Sequence, residues 1–513
     1  MSGRMRERLG WIAVAVCTAA ILLWPVVGDI RIANDDIKFV RGPGAELPLA
    51  DALSDAWRSQ PIFRPLEILM AHSSDPVTLA CEAVVPVQAA GLVALMAAIA
   101  ALSRQALPGV PAVRPLAAML VLLSPATTAS VWQMDSCSQT WSAALGAWST
   151  WLAWRWLEGC SVARPSWWLL VALLAVFPIG LTIKETFYGW ALGLWTASAV
   201  SILSLWRHDR MAARRALWVM VPLTVIPAAH LVLRWQWSAL PGVLGGAADG
   251  SRYQAEFGTN LLVNSAASIA GAVGMGPFHL LLDQNASVAL RLLPVMATGA
   301  VIGVILVGMF VAALDSERAR AVAWPALIFA ASASILSLSA TIPMPAVSEL
   351  YGLGANVGSA LLLAAGTAVV WGGSARKARA VARPVVAIAL ATTVAIGGIG
   401  LVSRAVHFAV VWTTVRSLND AIVGFQAALP AVPAGSQQAA GMVHVPTSCL
   451  VGATHSQYVM PPLQVLDLVL TEEWLNRRDP SRRIAFSIGT SLSSPRPDEL
   501  VLDCNSLPRH GHW

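Results

Sequence analysis

The chain has 513 residues, 56% of them hydrophobic and only 12% charged, with a formal net charge of +6. A soluble protein carries about a quarter of its residues as charges, so the soluble class is excluded. The apolar residues come in blocks of about twenty, the length that crosses roughly 30 Å of hydrocarbon, which predicts an all-α polytopic membrane protein.

The first block, WIAVAVCTAAILLWPVV at 11–27, follows Arg4, Arg6 and Arg8. Trp24 and Pro25 stand where a small-residue cleavage site would be, so the block reads as an uncleaved first span. By the positive-inside rule the N-terminus is cytoplasmic, and a first external loop, 28–76, opens on Asp35 and Asp36.

Further spans are expected at 77–103, 115–131, 139–157, 167–183, 186–205, 216–237, 289–313, 323–341, 351–371 and 384–402, eleven with the first. The connectors this places inside hold Arg104 and Arg114, Arg155 and Arg164, Arg207 to Arg215, Arg318 and Arg320, and the run from Arg376 to Arg383. One apolar stretch breaks the count. A single crossing by NLLVNSAASIAGAVGMGPFHLLL would put the later arginines outside, so about 259–282 reads as re-entrant, in keeping with Gly271, Gly274, Gly276 and Pro277.

From 403 onward the texture changes to turn signals and short strand-like runs, GMVHV, RIAFSIG and ELVLDC. The expected organisation is a transmembrane domain over 1–402 and a small mixed α/β external domain over 403–513. Cys449 and Cys504 both fall in that external part, where oxidising conditions favour a disulfide, whereas Cys17 and Cys81 are expected in helices and Cys160 on the reducing side. His444 and His455 lack partners at metal-ligand spacing and read as surface residues. Tryptophans at span ends, such as Trp132, Trp141, Trp206, Trp235 and Trp237, suit a membrane interface. The positive balance lies largely in the orienting loops, so no nucleic-acid partner is implied.

Ionisable groups at the edge of a span are functional candidates, because burying them uncompensated costs several kcal/mol. On the outer side these are Asp35 and Asp36 after span 1, Arg64 and Glu67 in FRPLE, Asp135 between spans 3 and 4, Lys184 and Glu185 in IKET, and Glu349 with Tyr351 in SELYG. Each also has a local reading. The aspartates and Glu349 suit helix caps, Arg64 an interfacial anchor, and Lys184 with Glu185 a local ion pair closing a helical hairpin.

The order NDD, FRPL, an Asp-bearing turn, KE and ELY resembles the C-class (GT-C) membrane glycosyltransferases, in particular the bacterial relatives of the tetratricopeptide-bearing protein O-mannosyltransferases. The likeness runs over residues 1–402. The His-x-x-Asn pattern of that group is missing at LACEAVVPV, the late element lacks its arginine, and no tetratricopeptide array follows.

The resemblance implies an inverting transfer of a sugar from a polyprenyl-phosphate donor to a protein, lipid or glycan acceptor at the non-cytoplasmic face of a bacterial inner membrane. Asp35 would be the general base and Asp36 its helper, while Arg64 and Lys184 would bind the donor phosphate. Glu67, Asp135, Glu185, Glu349 and Tyr351 would support them. No cofactor is implied with certainty, although a divalent metal, Mg or Mn, is compatible with Asp35 and Asp36. Two other classes stay open. One is an envelope polysaccharide polymerase or ligase, which would use a large late external loop. The other is a lipid-linked-sugar flippase, which would show broken helices with charges at mid-bilayer.

Overall fold

The computed structural model describes residues 3–33, 37–59, 64–134, 136–184, 186–237, 288–314, 320–340, 349–371, 376–433, 438–449, 466–489 and 495–504, with residues 262 and 265. Helices dominate it. In chain order they are α1 (Gly3–Val27), α2 (Ile37–Arg41), α3 (Leu49–Ser59), α4 (Pro65–His72), α5 (Val84–Ala106), α6 (Arg114–Leu123), α7 (Pro125–Trp132), α8 (Cys137–Ser161), α9 (Trp168–Ile183), α10 (Phe187–His208), α11 (Arg210–Ala216), α12 (Met220–Trp237), α13 (Val288–Leu314), α14 (Trp324–Ile335), α15 (Leu353–Trp371), α16 (Arg376–Ala428) and α17 (Leu468–Arg478).

Every apolar stretch expected to span falls on a helix, but the count of eleven crossings is not confirmed. Among the described residues seven helices are long and apolar enough to cross a membrane, or eight if the bent pair α6–α7 is one span. Helix α9 has only 16 residues and α14 only 12. Helix α8 is long, but it carries Ser138, Gln139, Thr140, Ser142, Ser149 and Thr150, all buried inside the bundle. Its polar residues face protein rather than lipid, which is why its hydropathy is low.

The second span starts later than expected, at Val84, because the preceding residues form a turn closed by the Asp75–Ala80 bridge. Cys81, expected in a helix, therefore lies in a buried loop. The bend between α6 and α7 is 58°. Pro125 removes a backbone donor and ends α6. Ser124 starts α7, its hydroxyl oxygen accepting from Ala126 N and its proton going to Asn356 Oδ1 of α15 at 2.6 Å. Nearly all of α15 is buried, and it forms the centre of the bundle.

Backbone hydrogen bonds show which helix ends lie together. Gly109 N donates to Ala321 O and Ala323 N to Ala106 O, so the end of α5 and the start of α14 share one end of the bundle. Close approach along α10 depends on glycine: a Cβ on Gly189 would sit 2.0 Å from the Ser337 carbonyl oxygen. Tyr188 in the first turn of α10 bonds His230 of α12, so the later part of α12 lies beside the start of α10. The stretch at 259–282, read as re-entrant, lies outside the described residues apart from 262 and 265.

Helix α16 runs 53 residues without interruption, so the expected boundary at 402/403 falls inside a helix. Its last turns reach the C-terminal sheet, whose parallel strands β1 (Gly441–Val445), β2 (Ile484–Ile488) and β3 (Glu499–Val501) stand in the order β2-β1-β3. They coincide with the three strand-like runs of the sequence. Gln426 donates to Leu475 O and Arg482 O, and Asn476 brackets Ile484 with two bonds of 2.8 Å. Cys449 and Cys504 form a disulfide across a sequence separation of 55. His444 is buried on the central strand, 3.7 Å from Glu499, and not at the surface as its spacing suggested. His455 lies outside the described residues.

Candidate functional site

Four helix ends meet around Glu67. Arg64 precedes Pro65, and the residue before a proline is steered away from helical backbone, so Arg64 stands just outside α4 as its N-cap. Glu67 is in the first turn of α4, where the positive end of the helix favours a carboxylate. Ser138 is in the first turn of α8, and Lys184 caps the C-terminus of α9 immediately before α10.

Glu67 is fully buried and central. Its Oε2 lies 3.3 Å from Arg64 Nη1 and its Oε1 3.5 Å from Lys184 Nζ, while Ser138 Oγ donates to Oε1 at 2.8 Å. Arg64 and Lys184 are themselves only 7% and 6% exposed. A second layer of hydroxyls ties the same corners: Thr186 Oγ1 donates to Gln139 Oε1 at 3.0 Å and pairs with Ser142 Oγ at 3.1 Å. Isolated buried charges are costly, and a shared carboxylate with hydrogen bonds lowers that cost. The cluster can therefore hold two cations in fixed positions at one end of a helical bundle.

Asp35, Asp36, Asp135 and Glu185 lie outside the described residues. Their flanks are well anchored. Before Asp35, Ile32 N donates to Leu79 O and Asp29 pairs with both Arg31 (3.2 Å) and Arg416 of α16 (2.9 Å). After Asp36, Ile37 is fully buried. Gln88 Nε2 donates to Ser130 O and Gln133 O, fixing the α7–α8 turn that contains Asp135. Glu349 starts a 3-10 turn that packs on α7, and Tyr351, in the same turn, is half-buried. The side chain of Glu349 lies outside the described residues.

Among the described residues no three His, Cys, Asp or Glu side chains gather as a metal site. Glu67 is a poor ligand for a divalent ion because two cations already sit on it.

Several residues that the sequence reading passed over are buried at this end. Arg41 is fully buried: it donates to Pro76 O at 3.0 Å, to Thr471 Oγ1 at 3.0 Å and to Asn419 Oδ1, and it stacks 4.6 Å over the Trp474 ring. Burial and then the Arg478 cation push the Arg41 guanidinium down to about 9, so it stays charged at neutral pH. Arg404 of α16 is 1% exposed. A turn further along α16, Phe408 packs edge-on to Trp132 at 5.8 Å. Trp132, expected at an interface, is instead buried and donates to Ile21 O. The signal available in the sequence was charge for Arg404, which stands in the apolar run GLVSRAVHFAVV, whereas Arg41 lies among Asp36, Lys38 and Glu46 and carried no such signal.

No family model matches the chain, and no curated protein and no solved structure matches it either.

Proposed function

We propose that this protein is a membrane glycosyltransferase that moves a sugar from a polyprenyl-phosphate donor to an acceptor hydroxyl, with inversion. The observation that supports this most is the buried Arg64–Glu67–Lys184 cluster at the end of a bundle of apolar helices. A lipid phosphate needs a cationic seat at the edge of an apolar layer, and these two side chains supply one from elements far apart in sequence.

In this reading Arg64 offers a planar fork and Lys184 a point charge to the phosphate, and both stabilise the charge that develops as the sugar–oxygen bond breaks. Glu67 is a positioning residue that keeps the two cations facing one place. Asp35 accepts the acceptor's proton as its oxygen attacks the anomeric carbon from the side opposite the phosphate, and Asp36 supports it. The seat faces the external side of a bacterial inner membrane, with the N-terminus cytoplasmic and the C-terminal region external.

The flippase reading gains one observation, the bent α6–α7 pair. Its break is closed by Ser124 donating to Asn356, a neutral pair, whereas the buried charges described here gather around Glu67. The transferase reading is therefore preferred.

The test is a purified, reconstituted protein offered a panel of polyprenyl-phosphate sugars. One of them is expected to be consumed with inversion at the anomeric carbon, and Asp35→Asn is expected to lower the rate by about 10²-fold or more without loss of folded protein. Consumption of none, or full activity in Asp35→Asn, would overturn the proposal or its base.

A further inference from the structure

A second polar group includes a side chain four residues after Lys184. Tyr188, in the first turn of α10, shares a hydrogen bond of 2.5 Å with His230 Nδ1 of α12. The two rings are 5.9 Å apart at 52°. Trp57 of α3 meets the same imidazole edge-on, with centroids 5.8 Å apart and planes at 76°. All three side chains are half-buried, so part of each surface is open.

Four residues of chain span at most about 14 Å, which keeps Tyr188 near the Lys184 end of the cation seat. Trp57 is on the helix just before Arg64, and Tyr188 lies four residues after Lys184, so the segments that carry the two cations also supply two of these three side chains, with His230 added from α12. His230 is an ionisable side chain within a stretch apolar enough to span a membrane, and such residues mark functional sites by default. An aromatic wall with a few convergent polar atoms is the usual lining of a small-molecule site. The tyrosine oxygen can both donate and accept, which suits a sugar hydroxyl.

We infer that Trp57, Tyr188 and His230 bind the sugar of the lipid-linked donor, while Arg64 and Lys184 hold its phosphate. Trp57 offers an aromatic surface to the C–H side of the ring. Tyr188 bonds a ring hydroxyl, and His230 orients the phenol. This rests on the glycosyl-transfer reading above, and the two can fail separately.

The experiment compares two ligands on the reconstituted protein: the sugar-bearing donor, read as KM, and sugar-free polyprenyl phosphate, read as its inhibition constant. Tyr188→Phe is expected to raise KM about tenfold, as the loss of one hydrogen bond would, and to leave the inhibition constant within about twofold. Trp57→Ala is expected to act in the same direction, and His230→Gln, which keeps a hydrogen-bond partner for the phenol, to act less. If both constants rise together, or neither moves, the sugar assignment is overturned while the transferase reading stands. If the wild type consumes no donor, both fall.

Discussion

Ser138 Oγ donates to Glu67 Oε1 at 2.8 Å, so the first turn of α8 is bonded to the first turn of α4 through a fully buried carboxylate. This one contact joins the loop before the second span to a helix of the bundle core. It also fixes the oxygen that faces Lys184. Four outcomes follow from this corner and from the C-terminal region.

Glu67→Gln keeps the shape and the Ser138 contact but removes the charge between two buried cations. Breaking such a pair costs about 3 kcal/mol or more, expected as a lower unfolding temperature in detergent. Adding Lys184→Met should restore part of the loss, because it removes one of the two cations left without that charge. Equal stability of Glu67→Gln and wild type would show that Glu67 is not the element holding this corner.

Lys184 reaches Glu67 from the end of α9, with its side chain 7% exposed. Lys184→Gln is expected to raise KM for the donor about tenfold or more, since a charge-assisted contact to phosphate is lost. Lys184→Arg should recover part of it. A Lys184→Gln protein with wild-type KM and salt dependence would remove Lys184 from the phosphate seat.

Arg41 ties three regions: the loop carbonyl of Pro76, Asn419 of α16 and Thr471 of the C-terminal part. Arg477 adds to the tie, donating to Arg41 O at 2.8 Å. Arg41→Met leaves those acceptors short of a charged donor, a loss of about 2 kcal/mol. Limited proteolysis should then cut the region after residue 428 faster than in wild type. Unchanged cleavage would mean that Gln426 and the other contacts suffice to dock it.

Glu499 is held down to about 2 by the Arg496 side chain and then by the Arg496 amide. Its ordinary value is 4.5, so its contribution to stability is present above that value and is lost as pH falls from 4.5 to about 2. The stability difference between wild type and Glu499→Gln should be constant above about pH 5 and gone near pH 2. A difference that survives at pH 2 would assign it to packing around His444 rather than to charge.

Much of this protein is legible one segment at a time. Blocks of apolar residues mark helices because each must cover its own backbone in hydrocarbon. The three strand runs of the tail, Cys449 and Cys504 as its two cysteines, and Arg64, Glu67 and Lys184 as charges next to apolar runs are all patterns of that kind. Other features depend on what lies opposite in space. The sequence marks Lys184 and Glu67 as two separate edge charges, and only the fold brings them within 3.5 Å of each other. The polar face of α8 lowers its hydropathy because it is turned toward α4 and α10, and α16 passes residue 402 because the first loop and the sheet give its last turns a surface to pack on. Arg41 likewise acquires its partners from positions 419 and 471, which no spacing rule connects. Backbone satisfaction is a short-range demand that a sequence states directly, whereas the partner of a buried charge is settled only when distant helices have closed around it.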